Sequence, residues 1–250
     1  MKRALKELRG YSILAKDGTK GIIKDFLFDE EAWKIRYLVA DLSKISPSRK
    51  ILIPRVFLNK VDWSKGQFQV ELTKEGIENC PDLAEHLPVS QEYEALLHKY
   101  YRIDCYWPMV YAVPLIAAID KPVMPINITK DAEKDDNVDS KLRSFNEVTG
   151  YSIECEDKKR GNLKDFIIDD SDWQISYMIV DIGHWYSRSK KAMIAVDLIT
   201  KINYSDQTVS IDQESDMVEN APEYDPSEPI NIKYETMLSD YYGRKVEKVH

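Results

Sequence analysis

Apolar and polar residues alternate over short stretches along most of the chain, and this pattern predicts β-strands. Residues 22–28 alternate partly, and the acidic run at 29–31 is typical of a turn before the next strand. The run at 34–42 is rich in β-branched and aromatic residues. Two further strands are predicted at Lys50–Ile53 and Gln67–Leu72, with turn-forming residues between them. Short strands at such even spacing favour a small barrel or a sandwich.

Two apolar stripes with helical spacing predict a helix near the end of each half of the chain. The first stripe lies behind Pro88 and Ser90, which are typical of a helix start. The second stripe has the same spacing close to the C-terminal end. The two stripes consist of Tyr93, Leu96, Leu97, Tyr100 and Tyr101, and of Tyr234, Met237, Leu238, Tyr241 and Tyr242.

The chain contains an internal repeat. Residues 10–42 align without a gap with residues 150–182, and after a shift of one residue the alignment continues, for example from Ile53 to Ile194. An insertion in a surface loop accounts for the shift, and duplication of a whole folding unit accounts for the shared order of elements. The residues that define the repeat are Gly21, Asp25, Asp29, Trp33, Tyr37 and Asp41 in the first copy, and Gly161, Asp165, Asp169, Trp173, Tyr177 and Asp181 in the second.

The repeat predicts two modules, at 1–104 and 146–250, joined by residues 105–145. The joining segment begins with an uncharged apolar run at 105–119 and continues into a polar, charged stretch at 127–144, which is typical of an exposed linker. Two prolines interrupt the apolar run, and it is shorter than the ~20 residues that a membrane-spanning helix needs. The sequence therefore predicts no membrane span.

Composition and charge narrow the classes of function. The net charge of -8 predicts a mildly acidic surface, which repels nucleic-acid phosphates and anionic membranes. Cys80, Cys105 and Cys155 are far apart and odd in number, so neither a disulfide framework nor a CxxC metal site is indicated. The first residues also lack the apolar core of a signal peptide. These features favour a cytoplasmic location.

The repeated motif resembles the PRC-barrel family. Each copy has a glycine-led GxxxDFxxDxxxW, a YxxxD strand, a basic loop, an apolar strand and an ENxP segment. The family includes the barrel of the photosynthetic reaction centre H subunit, the C-terminal domain of ribosome maturation factors and stand-alone bacterial proteins; the tandem copies resemble the stand-alone type. The resemblance implies a mainly β fold with short helices, in which two tandem PRC-type small β-barrels are each followed by a helix.

The family motif marks a fold more than a site, so the resemblance implies a non-enzymatic protein that binds or scaffolds other proteins. Two alternatives stay open, beside a third in which the protein is an enzyme with a cleft between the modules. One is an RNA- or ribosome-associated factor that acts through basic loops at 46–50 and 186–191. The other is a role in electron transfer like that of the reaction centre H subunit.

Candidate chemistry in the sequence is sparse. The familiar phosphate, dinucleotide, zinc and serine-hydrolase motifs are missing, so no catalytic residue and no cofactor is predicted. The acidic clusters at 25–31 and 165–172 have the ligand type that calcium prefers, but solvated turn residues are the favoured interpretation. The four histidines are His86, His98, His184 and His250. None has a second ligand at a metal-binding spacing, so no metal site is predicted.

The two copies differ in two places, and these are the predicted partner-binding regions. One is the segment 105–126, which has no counterpart after the second copy, and the other is the loop around Trp185. Exposed apolar groups of this kind mark protein interfaces or self-association, and the alternative for 105–126 is that it covers its own barrel. The candidate partner-binding residues are Trp107, Met109, Tyr111, Leu115, Ile116, Trp185 and Arg188. Nucleic acid is the weaker alternative partner, since short basic loops are usually solvated.

Overall fold

The computed structural model describes residues 1–42, 49–83, 89–106, 141–183 and 190–243. Contacts along the chain group Met1–Ala84 with Lys141–His250 into one compact unit, and Glu85–Ser140 into a second. The first of these units holds the second copy of the repeat and the first copy as far as residue 84, whereas the helical stripe of the first copy belongs to the second unit. We call Met1–Ala84 module 1 and Lys141–His250 module 2.

Six of the seven strands of the first half lie in one sheet, and the seventh strand of that sheet comes from the second half of the chain. The strands of the first half are β1 (Lys2–Ala4), β2 (Ser12–Ala15), β3 (Gly18–Asp29), β4 (Lys34–Asp41), β5 (Lys50–Pro54), β6 (Leu58–Asp62) and β7 (Gln67–Val70). Their order in the sheet is β5-β4-β3-β2-β7-β6, and β2 and β7 are parallel whereas the other neighbours are antiparallel. Strand β1 is the exception, because it does not belong to this sheet.

The second half repeats this arrangement. Its strands are β8 (Leu142–Ser144), β9 (Ser152–Glu154), β10 (Lys159–Asp169), β11 (Ile175–Asp181), β12 (Lys191–Ala195), β13 (Ile199–Asn203) and β14 (Thr208–Ile211). The order β12-β11-β10-β9-β14-β13 copies that of the first sheet, again with one parallel pair, β9 and β14. The predicted mainly β class with two β domains is confirmed. Among the described strands each sheet is an open path, with no pairing that closes it into a ring.

The first strand of each half pairs with the sheet of the other half. β1 is antiparallel to β10, with Arg3 opposite Ile168, and β8 is antiparallel to β3, with Arg143 opposite Phe28. We call β1 and β8 the lead strands. A short helical turn follows each of them: Leu5–Leu8 after β1, and α3 (Phe145–Val148) after β8. The two exchanges have the same register in the aligned sequences, so the two modules are related by a pseudo-two-fold exchange.

The helices are short. They are α1 (Lys74–Glu78), α2 (Gln91–Tyr101), α3, α4 (Ser215–Glu219) and α5 (Ile232–Tyr241). Helices α2 and α5 form at the two apolar stripes from which helices were predicted. The Ser90 hydroxyl caps the start of α2 by accepting from the Tyr93 amide, which agrees with the start signal in the sequence. Met237 was expected on the apolar face of α5 but is 45% exposed. No helix within the described ranges is long and apolar enough to cross a membrane.

The recurring Gly21 and Gly161 allow the long strands β3 and β10 to pass close to their neighbours. Gly21 has φ +74° and Gly161 has φ +78°. A Cβ at Gly21 would lie 2.7 Å from the Asp41 carbonyl oxygen, and a Cβ at Gly161 would lie 2.6 Å from that of Asp181. Both the backbone angle and the space therefore require glycine at these positions.

We expect Gly21→Ala to lower the free energy of unfolding by about 2 kcal/mol or more. The alanine would have to adopt a left-handed conformation, and its Cβ would also clash with the Asp41 backbone. Gly150→Ala is the matched control: its φ is +102°, but nothing lies within 4 Å of the added Cβ. That control should lose only about 1 kcal/mol. Urea unfolding of the full chain measures both values, and equal losses would contradict the role of the Asp41 contact.

Candidate functional site

The most developed arrangement of polar and aromatic side chains lies where the two modules meet. It comprises two related joints, one around β8 and one around β1. Strand β3 is longer than its neighbour β2, which pairs with it only between Gly18 and Ile22. The lead strand β8 covers the far end of β3, at residues 27–29. Without β8 this end would be an open row of backbone donors and acceptors, so the other module completes the sheet. The same holds for β10 and β1.

Asp25 fixes the incoming segment of module 2 to module 1. A register shift in β3 between Ile23 and Asp25 marks a bulge, a feature that redirects side chains. The Asp25 carboxylate accepts the Asn146 amide at 3.0 Å and the Ser144 hydroxyl at 2.6 Å, as well as its neighbour's amide, Phe26 N, at 2.8 Å. Burial raises the pKa of Asp25, although these three hydrogen bonds favour the ionised form.

Asp165 does the same for the incoming segment of module 1. Its Oδ1 accepts the amides of Lys6 at 2.9 Å and of Phe166 at 2.8 Å. Burial raises the pKa of Asp165 to about 6; the two amides and the charge of Lys6 act against this shift, and the charge of Glu7 adds to it. The two aspartates of the repeated DF motif thus hold the start of each exchanged helical turn.

An arginine in each lead strand binds a carboxylate of the other module. Arg143 donates to both oxygens of Glu30, at 2.8 and 3.0 Å. Its guanidinium lies 4.2 Å from the centre of the Tyr204 ring, and the Tyr204 hydroxyl donates to Glu30 at 2.7 Å. Burial and the Glu30 carboxylate raise the pKa of Tyr204, so the phenol keeps the proton it donates.

The aligned residues form the second joint. Arg3 Nε donates to Asp170 at 2.9 Å, and its guanidinium lies 3.7 Å from the centre of the Trp63 ring. Each joint therefore combines a charge-assisted hydrogen bond with a cation–π contact, both partly buried. The acidic residue differs between the joints, and so does the aromatic ring.

The repeated tryptophans pack across the joint. Trp173 of module 2 is 3% exposed and lies against Phe26 and Phe68 of module 1, at ring-centre distances of 6.5 and 5.7 Å. Trp33 of module 1 lies 5.9 Å from Phe166 of module 2. Aromatic pairs at these distances add to the free energy of burial, so the two rings are central to the cohesion of the modules.

Backbone hydrogen bonds join the two tryptophan turns directly. The Ile35 amide donates to the Trp173 carbonyl at 3.1 Å, and the Ile175 amide donates to the Trp33 carbonyl at 2.7 Å. Both tryptophans have positive φ, +50° for Trp33 and +65° for Trp173. Non-glycine residues rarely adopt this conformation, and here it turns each carbonyl toward the other module.

Most of the remaining residues that define the repeat serve local structure, whereas Asp169 also binds the N-terminal amine of the other module, at 3.2 Å. Asp29 accepts the amides of Glu31 and Ala32 and two bonds from Arg36; although burial opposes ionisation, these donors lower its pKa. Asp41 carries the carbonyl beside Gly21. Tyr37 is 1% exposed, and the Tyr177 hydroxyl donates to Glu235 of α5 at 3.0 Å. These side chains support the hairpin turn and the packing of the sheet.

One known protein family matches part of the region described above. Residues 2–77 match the family model of the PRC-barrel domain. The first half of the chain contains a PRC-barrel domain. No curated protein gives a significant match to the chain. The matched PRC-barrel region begins at β1 and ends in α1, so it includes the lead strand that pairs with the other module.

All seven candidate partner-binding residues lie outside the described residues. Trp107, Met109, Tyr111, Leu115 and Ile116 fall in 107–140, and Trp185 and Arg188 fall in 184–189. The proposal that they bind a partner therefore stays a prediction.

The edges of the two basic loops are described, and there the basic residues contact backbone of the PRC-barrel domain and its repeat. Arg49 donates to the Cys80 carbonyl, and Lys190 donates to the Glu219 carbonyl at 2.6 Å. Both acceptors lie at or just after the end of a short helix, α1 or α4, where carbonyls lack helical partners. Arg49 and Lys190 therefore each satisfy a backbone carbonyl near the end of a short helix.

The acidic clusters also have protein partners. Glu30 binds Arg143, Glu31 binds Lys141, and Asp170 binds Arg3. In the described part of the chain, no group of three or more His, Cys, Asp or Glu side chains could hold a metal ion. The acidic residues near the hairpin tips of the PRC-barrel domain and its repeat therefore mainly join the modules.

Sequence reasoning missed the lead strands and the residues they carry. A signal for them exists, because the alignment extends upstream of Gly10 and Gly150. Arg3 and Arg143 are identical there, as are Glu7 and Glu147, and apolar residues recur at 5 and 8 and at 145 and 148. The acceptors Glu30 and Asp170 were noticed only as members of acidic clusters.

We expect Trp173→Ala to lower the free energy of unfolding by about 3–5 kcal/mol, because it empties a buried aromatic site shared by the modules. Trp63→Ala is the matched control, since Trp63 is half-buried and contacts mainly Arg3 and Tyr11. It should lose about 1–2 kcal/mol. Thermal and urea unfolding measure both, and a smaller loss for Trp173→Ala than for the control would refute this ranking.

The raised pKa of Asp165 predicts a pH-dependent contribution to stability. Since folding raises its pKa from 3.8 to about 6, the protonated form favours the folded state, and this contribution is lost as the pH rises through 6. Asp165→Asn keeps an oxygen acceptor for both amides and cannot ionise. We expect this variant to gain stability relative to the native chain between pH 4 and 7, by about 1–3 kcal/mol.

The control for this pH series is Asp62→Asn. The pKa of Asp62 is lowered to about 2 by hydrogen bonds from Ser64 and Lys65, so its difference from the native chain should stay constant over the same pH range. Urea unfolding at several pH values gives both curves. A flat curve for Asp165→Asn would show that Asp165 does not titrate in this range.

Proposed function

We propose that this protein is a non-enzymatic binding or scaffold protein built from two PRC-barrel modules, the second of which covers residues 141–250. The repeated strand order and the matching exchange support the assignment of the second module. A binding role agrees with the PRC-barrel match at residues 2–77. The ribosome-associated and reaction-centre-like roles stay predictions from the sequence.

One observation carries the proposal: side chains shared by the two copies are occupied in holding the protein together. Asp25 and Asp165 bind backbone amides of the other module, and Trp33 and Trp173 pack on its aromatic residues. Duplicated residues therefore explain the body of the protein. A surface that recognises a partner must draw on other residues, and the sequence differs most between the copies at 105–126 and in the loop around Trp185.

The proposed partner is another protein. The segment 105–126 supplies Trp107, Met109, Tyr111, Leu115 and Ile116, which are residue types typical of the apolar centre of protein interfaces. Trp185 and Arg188 in the other region belong to the two types most often found at binding hot spots. The net charge of -8 gives this body little attraction for nucleic acid.

To test the proposal, residues 105–126 are replaced by a glycine–serine segment of equal length, and the tagged chain is purified from its native cell. The matched control replaces residues 127–140 in the same way. Partners identified by mass spectrometry are then bound again with purified components. We expect the first replacement to weaken binding at least about tenfold and the control to leave it unchanged.

Equal recovery of the same partners with both replacements would remove 105–126 from the proposed interface. The free energy of unfolding is measured for both variants, so that a loss of binding caused by unfolding is recognised. If the partners persist, the double replacement Trp185→Ala and Arg188→Ala tests the second region. Partners that also survive this change would overturn the proposed location of the binding surface.

A further inference from the structure

The joint between the modules has a geometry that a second copy of the protein can satisfy equally well. Module 1 gives β1 to module 2 and receives β8 from it. Every contact across the joint is therefore made between one module 1 and one module 2. Nothing in these contacts specifies that the two modules belong to the same chain.

We propose that two copies of this chain form a dimer by exchanging modules, so that module 1 of each copy pairs with module 2 of the other. Such a dimer retains both arginine–carboxylate joints, both aspartate contacts and the tryptophan packing of each pair of modules. It differs from two monomers only in the path of the connecting chain. This is the physical situation in which domain swapping costs little.

The connecting chain is long enough for either path. Residues 107–140 lie between the last described residue of the first half and the first of the second. At ~3.4 Å per residue, this stretch reaches on the order of 100 Å when extended. A linker of this kind gives the attached modules an effective concentration of ~1 mM. The exchanged dimer therefore has an expected Kd of ~1 mM, and the monomer dominates in dilute solution.

The Arg143–Glu30 joint offers a way to direct the exchange. The two side chains are partly buried and make two hydrogen bonds. Arg143→Glu places like charges at this joint in one chain, and Glu30→Arg does so in another. Within each variant the joint is mismatched. In an exchanged dimer of the two variants, each module 2 meets a module 1 of complementary charge, so both joints are matched.

The expected shift follows from the two joints. With a penalty of about tenfold at each mismatched joint, relief of both lowers the Kd of the mixed dimer about 100-fold, to ~10 µM. Each variant alone keeps its mismatch in every arrangement and stays mostly monomeric at ~100 µM, as does the native chain. The double variant Glu30→Arg with Arg143→Glu is the control, because its joint is matched within the chain.

The full-length variants carry tags of different mass, are refolded together at ~100 µM and are examined by native mass spectrometry and light scattering. We expect a dimer with one copy of each variant, about fourfold more abundant than the dimers that either variant alone or the double variant forms at the same total concentration. Mixed chains that fold but stay monomeric overturn the proposal. A dimer that forms equally with the double variant is not an exchanged dimer and also overturns it.

A second measurement decides the outcome if the single variants do not fold alone. A mixture that folds only as the mixed dimer supports the exchange. If the mixture also fails to fold, the native chain is refolded at ~1 mM as an equal mixture of two tagged forms. About half of the chains are then expected in dimers, and about half of those dimers contain both tags. Absence of such dimers at this concentration overturns the proposal.

Discussion

The long strands β3 and β10 extend beyond the strands beside them, and the cohesion of the fold depends on covering these ends. An uncovered strand edge offers unpaired backbone groups to any passing strand. Each module covers the other's edge with three residues and one helical turn. The arginine joints, the aspartate contacts and the tryptophan packing all lie around these two short pairings. Together these contacts hold each very short lead strand in place.

The balance of forces at the joint explains why charged residues tolerate burial there. Asp25 and Asp165 lose contact with water but gain backbone amides at the start of an incoming turn. Glu30 and Asp170 gain an arginine whose guanidinium rests on an aromatic ring. Aromatic packing through Trp33 and Trp173 supplies the apolar part of the cohesion. Polar contacts then fix the register that apolar packing alone leaves open.

The sequence predicts much of the secondary structure within each module, but few of the contacts that join the two modules. Alternation and turn residues predicted the strands around Lys50–Pro54 and Gln67–Val70, and helical spacing predicted α2 and α5. Recurrence marked Asp25 and Trp33 as structural positions. The lead strands escaped because a strand of three residues has no periodicity to detect. Its partner also lies more than a hundred residues away, and no local pattern contains that information.

The two arginine joints have different compositions, and this difference bears on how such a protein can change over time. In a symmetric dimer of identical chains, any substitution appears at both joints at once. Here one joint uses Glu30 with Tyr204 and the other uses Asp170 with Trp63. A substitution at one joint leaves the other unaltered, so covalent fusion of the two copies lets each half drift independently. The pseudo-two-fold body can therefore acquire a surface that is present only once.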